Sequence, residues 1–316
     1  MSDVRRVYTR PPALRPGATL AVISPASTPK RELVEKGLAA VEAAGYRVKL
    51  GKHAFGGGPL YYAGTLTERL EDLHWAFADP EVDGVLCVRG GWGSAELLPH
   101  LDANLIRSNP KAFIGYSDHT SLHSWFQNEA NLITFYGPMA AADFAREGGV
   151  DFASWHSALG GASTWSLDAS DGLRVLQPGV AEGNLLGGCI SILAAGLGTP
   201  YAPQLCESVL FLEDIGTKPY QWDRMLLHLR YSGRLDDVRG IVFGDMAQCV
   251  PDDERDLLER AILHGLRGFP GPVAIGLRCG HVDGANRTLP LGVPARLDLS
   301  DVKNPQLSFL AAAVSG

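Results

Sequence analysis

The stretch Lys111-Ala112-Phe113-Ile114-Gly115-Tyr116-Ser117-Asp118-His119-Thr120 joins a predicted buried strand, 111–115, to a predicted helix whose apolar residues follow at helical spacing. Ser117 lies in the turn between them. Such a turn lifts a hydroxyl clear of the sheet and points the first backbone N–H groups of the helix at the same place. This geometry suits a nucleophile, but a serine that only caps the helix is the more common case, and the support for a nucleophile comes from residues further along the chain.

The same pattern recurs through the first half of the chain. Apolar strands are predicted at 19–23, 46–50, 85–88 and 132–135, with amphipathic helices between them. One helix is predicted to begin at Pro29 with Thr28 as its N-cap, and another after a capping box at 65–68. Apolar strands between amphipathic helices indicate a parallel sheet that is covered on both faces. Ligands bind at the carboxyl ends of such strands, so the loops at Ser24, Gly91 and Ser117 are expected to face one crevice.

The pattern weakens after Asp143, where glycine pairs and a Ser/Asp-rich run indicate a connector. We therefore predict an α/β domain over 1–145, a connector over 146–179 and a smaller mixed α/β domain with short strands over 180–316. Within this last domain a helix of small residues is predicted over 185–197, and strands at 208–212, 240–243, 273–277, 295–299 and 306–310. Tyr220 and Trp222 are predicted to lie in the core.

The bulk composition excludes several classes of protein. The chain has 316 residues, of which 46% are hydrophobic and 20% charged, which is typical of a globular protein with a large core. Its net charge of −7 argues against a nucleic-acid partner or an anionic membrane. The segment Met1–Arg6 lacks the apolar run of a signal peptide. The five cysteines are scattered, which suggests reduced thiols and a cytoplasmic protein.

Two further residues lie where a serine nucleophile would need them. Glu213 ends a predicted strand at the sheet rim, and His281 lies in a Gly-flanked loop just after the strand at 273–277. Each residue has an ordinary alternative. Glu213 could simply cap the next helix, and Asp214 beside it competes for the catalytic role; His281 could simply be a surface loop residue. With Ser117 they run in the order Ser, Glu, His, as in α/β-hydrolases. The turn is not Gly-x-Ser-x-Gly, so another scaffold is implied.

These residue types have complementary chemistry. A serine hydroxyl needs an imidazole to accept its proton, and a carboxylate then stabilises the imidazolium and fixes its tautomer. The oxyanion of the tetrahedral intermediate needs preorganised donors, for which the backbone N–H groups of Asp118 and Gly91 are the candidates. Gly90 and Gly91 have the alternative explanation of a turn that requires positive φ.

Other candidates carry weaker signals. His119 and His123 have the i, i+4 spacing of zinc ligands, but Thr120 stands where a zincin carries its glutamate, and no metal is predicted. Arg89 is a candidate for binding a substrate carboxylate, with an ordinary ion pair as the alternative. Trp92 and Tyr136 are candidates for the wall of the substrate pocket, or they simply pack.

An ordered set of motifs resembles the LD-carboxypeptidase family of serine peptidases, the group that includes muramoyltetrapeptide carboxypeptidases and the microcin-C immunity peptidase. The motifs are Arg89-Gly90-Gly91-Trp92-Gly93, Gly115-Tyr116-Ser117-Asp118-His119-Thr120, Glu182-Gly183-Asn184-Leu185, Leu212-Glu213-Asp214 and Gly280-His281. The resemblance extends from about residue 14 to residue 299. It implies a flavodoxin-like N-terminal domain with the serine, a C-terminal domain with the glutamate and histidine, and a site at their junction.

The resemblance also implies a cytoplasmic, homodimeric enzyme without a cofactor that releases the terminal D-alanine of murein tetrapeptides in peptidoglycan recycling. Ser117 would be the nucleophile, His281 the base and Glu213 its orienting acid. The microcin-C branch instead cleaves an aminoacyl-nucleotide analogue and tends to have a longer insertion with an aromatic clamp. The connector here is short and gives little room for such an insertion, with Trp155 and Trp165 as the candidates for a clamp. An alternative of another class is a non-catalytic protein that binds a small ligand.

Overall fold

The computed structural model describes residues 6–246 and 248–316. Apart from Arg6, the N-terminal segment considered above as a possible signal peptide lies outside the described residues. The described strands are β1 (Thr19–Ile23), β2 (Arg47–Leu50), β3 (Gly84–Cys87), β4 (Ala112–Gly115), β5 (Thr134–Tyr136), β6 (Trp165–Leu167), β7 (Arg174–Gln177), β8 (Val180–Cys189), β9 (Ser208–Glu213), β10 (Gly240–Gly244), β11 (Val273–Leu277), β12 (Leu289–Leu291), β13 (Pro294–Asp298) and β14 (Gln306–Phe309).

The described α-helices are α1 (Arg31–Ala43), α2 (Leu66–Ala78), α3 (Ala103–Ser108), α4 (Thr120–Trp125), α5 (Phe152–Gly160), α6 (Ile190–Ala195), α7 (Pro219–Tyr231) and α8 (Arg255–Gly265). Short 3₁₀ or π turns lie at Ser94–His100, Ser117–His119, Phe126–Ala130, Ala140–Phe144, Ala169–Asp171 and Asp252–Glu254. None of the described helices is long and apolar enough to cross a membrane.

The first sheet has the strand order β2-β1-β3-β4-β5-β12. Its first five strands are parallel, which is the flavodoxin-like order. β3 and β4 are buried along their whole length, as a sheet covered on both faces requires. The prediction of a parallel α/β sheet is confirmed. β12, from the last part of the chain, pairs antiparallel with β5 and was not predicted.

The second sheet has the order β6-β14-β13-β8-β9-β10-β11-β7. Its four central strands, β8 to β11, are parallel, and the strands on either side of them are antiparallel. This mixed sheet of mostly short strands agrees with the predicted fold class of the second half. The predicted connector, 146–179, contains α5 together with β6 and β7, which are the two edge strands of this sheet. The division of the chain at residues 145 and 180 stays a prediction.

The predicted helix over 185–197 is wrong in its first part. Residues 185–189 are the end of the ten-residue strand β8, and the helix α6 covers only Ile190–Ala195 of the predicted range. Small residues there are needed for close strand packing, because a Cβ at Gly187 would lie 2.0 Å from the carbonyl oxygen of Phe211 on β9. Gly187 and Gly188 also have positive φ, which other residues rarely adopt.

Two predictions about the ends and surroundings of helices also need correction. α1 begins at Arg31 rather than at Pro29, because the hydroxyl of Thr28 donates to the carbonyl of Tyr62 instead of capping the helix. Tyr220 is exposed, whereas Trp222 beside it is fully buried. The capping box that begins α2 is confirmed, with the Thr65 hydroxyl and the Glu68 carboxylate each satisfying the other's backbone N–H.

Candidate active site

Ser117 occupies a strained turn directly after β4. Tyr116 is extended, with φ of −148°, and Ser117 then has φ of +65°, a left-handed conformation that is uncommon for a residue with a side chain. The turn is tight because Gly115 has no side chain: a Cβ there would lie 2.8 Å from Nδ1 of His119. Strain of this kind persists only where surrounding contacts hold it, and it projects the hydroxyl beyond the end of the strand.

The side chains of Ser117, His281 and Glu213 form one continuous hydrogen-bonded row. Nε2 of His281 lies 3.0 Å from Oγ of Ser117, and Nδ1 of His281 lies 2.7 Å from Oε2 of Glu213. Glu213 is the last residue of β9, and His281 lies in the loop that follows β11. Residues separated by 164 positions are therefore brought together at the carboxyl ends of strands from both sheets.

Burial and charge act in opposite directions on this pair. The Glu213 side chain is only 2% exposed, and burial alone would raise the pKa of its carboxyl. The charge of His281 and hydrogen bonds from His281 and Tyr136 nevertheless hold that pKa below its ordinary value. Burial alone would lower the pKa of the His281 imidazole, but the charge and hydrogen bond of Glu213 raise it above 6.5. The pair thus combines an ionised acid with a strengthened base.

The loop after β3 packs directly against the serine. A Cβ at Gly90 would lie 2.9 Å from Cβ of Ser117 and 3.3 Å from the backbone nitrogen of Asp118, and a Cβ at Gly91 would lie 2.5 Å from Oγ of Ser27. Among the described residues, the backbone N–H groups of Gly91 and Asp118 have no hydrogen-bond acceptor. Donors without partners beside a hydroxyl are what an oxyanion site requires.

Comparison with known proteins identifies the family. Residues 20–137 match the model of the LD-carboxypeptidase N-terminal domain, and residues 182–297 match the model of the LD-carboxypeptidase C-terminal domain. The chain belongs to the LD-carboxypeptidase family. This confirms the resemblance found in the motifs and the prediction of a serine-type LD-carboxypeptidase.

Relatives of this LD-carboxypeptidase include proteins from both branches. A probable murein peptide carboxypeptidase of Bacillus subtilis is 37% identical over 95% of each chain. The microcin C7 self-immunity protein MccF of Escherichia coli is 27% identical over 89% of each chain. The crystal structure of a muramoyltetrapeptide carboxypeptidase from Oxalobacter formigenes superimposes with a TM-score of 0.82 at 28% identity, covering 93% of this chain and 99% of the other.

The two residues predicted for the pocket wall of this LD-carboxypeptidase lie in different places: Trp92 at the surface and Tyr136 in the core. Trp92 is 41% exposed, and its backbone is bound to the hydroxyl of Ser27. Tyr136 has no exposed surface, and its phenol contacts Ser117 and Glu213 from behind. Tyr136 therefore contacts residues that line the site and does not reach the substrate, which corrects its prediction as a substrate-binding residue.

Arg89 has no carboxylate within ion-pair distance among residues 6–246 and 248–316. Its guanidinium donates to the carbonyl of Thr28, and Nη2 lies 3.5 Å from where a Cβ of Gly91 would be. The ion pair that was the alternative for Arg89 is thus absent from the described part of the chain. A cation next to the glycine loop stays available for a ligand.

The two histidines with zinc-ligand spacing are both fully buried: His119 ends the short 3₁₀ turn that begins at Ser117, and His123 lies on α4. Nδ1 of His123 lies 2.8 Å from Oγ1 of Thr134, and Nε2 lies 2.9 Å from the carbonyl oxygen of Gly115. His119 packs its ring edge against Phe113. Burial lowers the pKa of each histidine to about 3, so both are neutral. Their contacts are those of core residues.

Sequence reasoning missed a second layer around His281. The ring of Tyr116 stands edge-on to the imidazole, with 5.1 Å between centroids. Asn286 accepts from the backbone N–H of Gly280, 2.9 Å away, and donates to the buried carboxylate of Asp143. These residues fix the histidine loop. The sequence offers one signal, Asp143 within the otherwise apolar run 140–145, but no signal for its pairing with Asn286 across 143 positions.

Proposed function

We propose that this LD-carboxypeptidase hydrolyses an L,D amide bond and releases the terminal D-alanine of murein tetrapeptides through Ser117, His281 and Glu213. The observation that carries the proposal is the row of contacts from the Ser117 hydroxyl through the imidazole to the Glu213 carboxylate, 3.0 Å and 2.7 Å long. Both distances lie within the range for proton transfer between a nucleophile, its base and an orienting acid.

The mechanism begins with the neutral imidazole. Nδ1–H of His281 donates to Glu213, which leaves Nε2 free to accept the proton of the Ser117 hydroxyl as Oγ bonds to the carbonyl carbon of the scissile amide. The carbonyl oxygen becomes an oxyanion, for which the backbone N–H groups of Asp118 and Gly91 are the proposed donors.

Collapse of this intermediate breaks the C–N bond, and Nε2–H of His281 gives its proton to the departing amine of D-alanine. The result is an ester between Ser117 and the shortened peptide. Water then repeats the sequence: His281 accepts a proton as the water oxygen attacks the ester, and returns it to Oγ of Ser117. Each cycle consumes one water molecule and restores the starting protonation.

The substrate class follows from the family and from the charge near the site. An enzyme that removes a terminal residue must recognise a free carboxylate, and the guanidinium of Arg89 is the proposed partner because no protein carboxylate occupies it among the described residues. Trp92, exposed on the same loop, is proposed to contact the peptide. The murein peptide relative from Bacillus subtilis supports this choice of substrate.

Cleavage of an aminoacyl-nucleotide analogue is the second candidate, supported by the similarity to MccF over 89% of both chains. The aromatic clamp predicted for that branch has weak support here. Trp155 is fully buried and donates to the hydroxyl of Tyr46, and Trp165 stacks on Phe309. The murein peptide is therefore the leading substrate.

The test compares the wild-type enzyme with Ser117→Ala and with the matched control Ser232→Ala, whose hydroxyl donates to the carbonyl of Leu229 on the surface away from the site. We expect D-alanine release from a murein tetrapeptide to disappear in Ser117→Ala, with little change in melting temperature, and to persist in Ser232→Ala. Turnover by Ser117→Ala would refute the mechanism. Release of amino acid from aspartyl sulfamoyl adenosine, with no reaction on the tetrapeptide, would favour the second candidate.

Cytoplasmic location and a homodimer complete the proposal, and both rest on the family resemblance. Sedimentation analysis of the purified enzyme and fractionation of cells that express it test these two points. A monomer at micromolar concentration, or recovery outside the cytoplasm, would contradict them.

A further inference from the structure

The phenol of Tyr136 lies between the nucleophile and the acid of the proposed triad. Tyr136 is the last residue of β5, and its ring has no exposed surface. Its hydroxyl oxygen accepts a hydrogen bond of 3.1 Å from the backbone N–H of Ser117 and donates its own proton to Oε1 of Glu213. Burial raises the pKa of this phenol well above its ordinary value, so the proton that it donates stays on it.

The contact with Tyr136 completes the hydrogen bonding of Glu213. Oε2 of the carboxylate accepts from Nδ1 of His281 and, at 3.0 Å, from the backbone N–H of the same residue. Among the described residues, Oε1 accepts only from Tyr136. A buried carboxylate oxygen without a donor is strongly disfavoured, so the phenol holds Oε1 in place, and without it the negative charge of Glu213 would be compensated by His281 alone.

The same hydroxyl holds the backbone of the nucleophile. Ser117 has a strained φ of +65°, and its N–H would be left without an acceptor if the phenol were absent. This contact also decides which N–H groups remain for the oxyanion. The N–H of Ser117 is already engaged, which leaves the N–H groups of Asp118 and Gly91.

We infer that Tyr136 is a positioning residue that fixes the Ser117 backbone and the Glu213 carboxylate with one hydroxyl and does not contact the substrate. The inference rests on the proposed triad. Tyr136 belongs to the first sheet and Glu213 to the second, so the phenol also fixes the distance between the parts of the site that each sheet supplies.

The test is Tyr136→Phe in the full-length enzyme, with Tyr46→Phe as the matched control. Tyr46 is also buried and hydrogen-bonded, to Nε1 of Trp155, but it lies outside the site. Loss of one hydrogen bond to a charged group predicts a decrease in kcat of about 10- to 100-fold for Tyr136→Phe. KM should be unchanged, because the phenol does not contact substrate. Tyr46→Phe should retain the kcat of the wild type.

The pH profile separates positioning from a merely structural effect. Without the phenol, the Glu213 carboxylate interacts more strongly with the imidazolium, so the acid limb of kcat/KM should move to higher pH in Tyr136→Phe and stay in place in Tyr46→Phe. The other titratable groups that face this pair are the same in all three proteins: Tyr116, Asp143, Cys189, Asp214 and Cys279.

A kcat within twofold of the wild type, with an unchanged acid limb, would overturn the inference. If Tyr136→Phe does not fold, 3,5-difluorotyrosine placed at position 136 keeps the ring and the hydroxyl but makes it a stronger donor. The acid limb should then move to lower pH, and an unmoved limb would overturn the inference equally. Ser117→Ala tests the proposed triad separately: if the triad is wrong, Ser117→Ala stays active, whatever the result for Tyr136→Phe.

Discussion

Gly90 gives the sharpest test of the geometry around Ser117, because its φ is not positive and alanine is therefore tolerated by the backbone. An added Cβ would lie 2.9 Å from Cβ of Ser117, whereas carbon atoms in contact are about 3.5 to 4.0 Å apart. To reach an ordinary contact distance from the new methyl group, the Ser117 side chain must move by about 0.6 to 1.1 Å. The methyl would also lie 3.3 Å from the backbone nitrogen of Asp118 and cover its N–H group.

The displacement of Ser117 and the covering of the Asp118 N–H group each predict a loss of activity of similar size. Displacement of a reacting group by about 1 Å lowers the rate about 10²-fold, and loss of one oxyanion donor lowers it about 10²- to 10³-fold. Because both effects arise from one methyl group, we expect kcat/KM of Gly90→Ala to fall about 10²- to 10³-fold, equivalent to about 2.7 to 4 kcal/mol.

The assay is D-alanine release from a murein tetrapeptide, with thermal unfolding measured in parallel. Gly57→Ala is the control, because a Cβ at Gly57 meets no atom within 4 Å and its φ is not positive. Overpacking is expected to cost the folded state of Gly90→Ala about 1 to 3 kcal/mol. A folded Gly90→Ala enzyme with kcat/KM within fivefold of the wild type would refute the arrangement of Gly90, Ser117 and Asp118 described above.

Three further outcomes are expected. Because the charge of Glu213 overcomes the effect of burial and raises the pKa of His281, kcat/KM should increase with pH through a value above 6.5; half-maximal activity below pH 6.5 would contradict this. Arg89→Met should raise KM for the tetrapeptide about 10- to 100-fold, and a substrate that ends in D-alanine amide should abolish the difference from the wild type; an unchanged KM, compared with Arg267→Met as control, would exclude the carboxylate contact. EDTA should leave activity unchanged, whereas a loss restored by zinc would return attention to His119 and His123.

The sequence supports prediction where the physical signal is local. Strands that are buried on both faces are apolar throughout, so β1, β3 and β4 were found within one or two residues of their ends. The capping box of α2 is likewise contained in four residues. Ser117, Glu213 and His281 each follow a predicted strand, and this common position at strand ends made them candidates for one site.

What could not be predicted depends on contacts between distant segments. The end of β8, residues 185–189, was predicted as helix because the reason for its glycines lies on another strand: a Cβ at Gly187 would lie 2.0 Å from the backbone of β9. β12 has only three residues, and its pairing with β5 has no local pattern. Tyr136 was a candidate for the pocket wall, with simple packing as the alternative, and nothing nearby in sequence indicates Glu213 as its partner.

The pairing of β12 with β5 has a consequence for biosynthesis. Residues 289–291 occupy the sheet edge beside the strand that ends in Tyr136, yet they are translated about 150 residues after it. While the chain emerges from the ribosome, that edge stays open, and neither Glu213 nor His281 can yet meet the serine in its final setting. With the proposed triad, a nascent chain would have no hydrolytic capability until nearly all of it has been made, and the uncovered edge of β5 would be open to neighbouring chains during that interval.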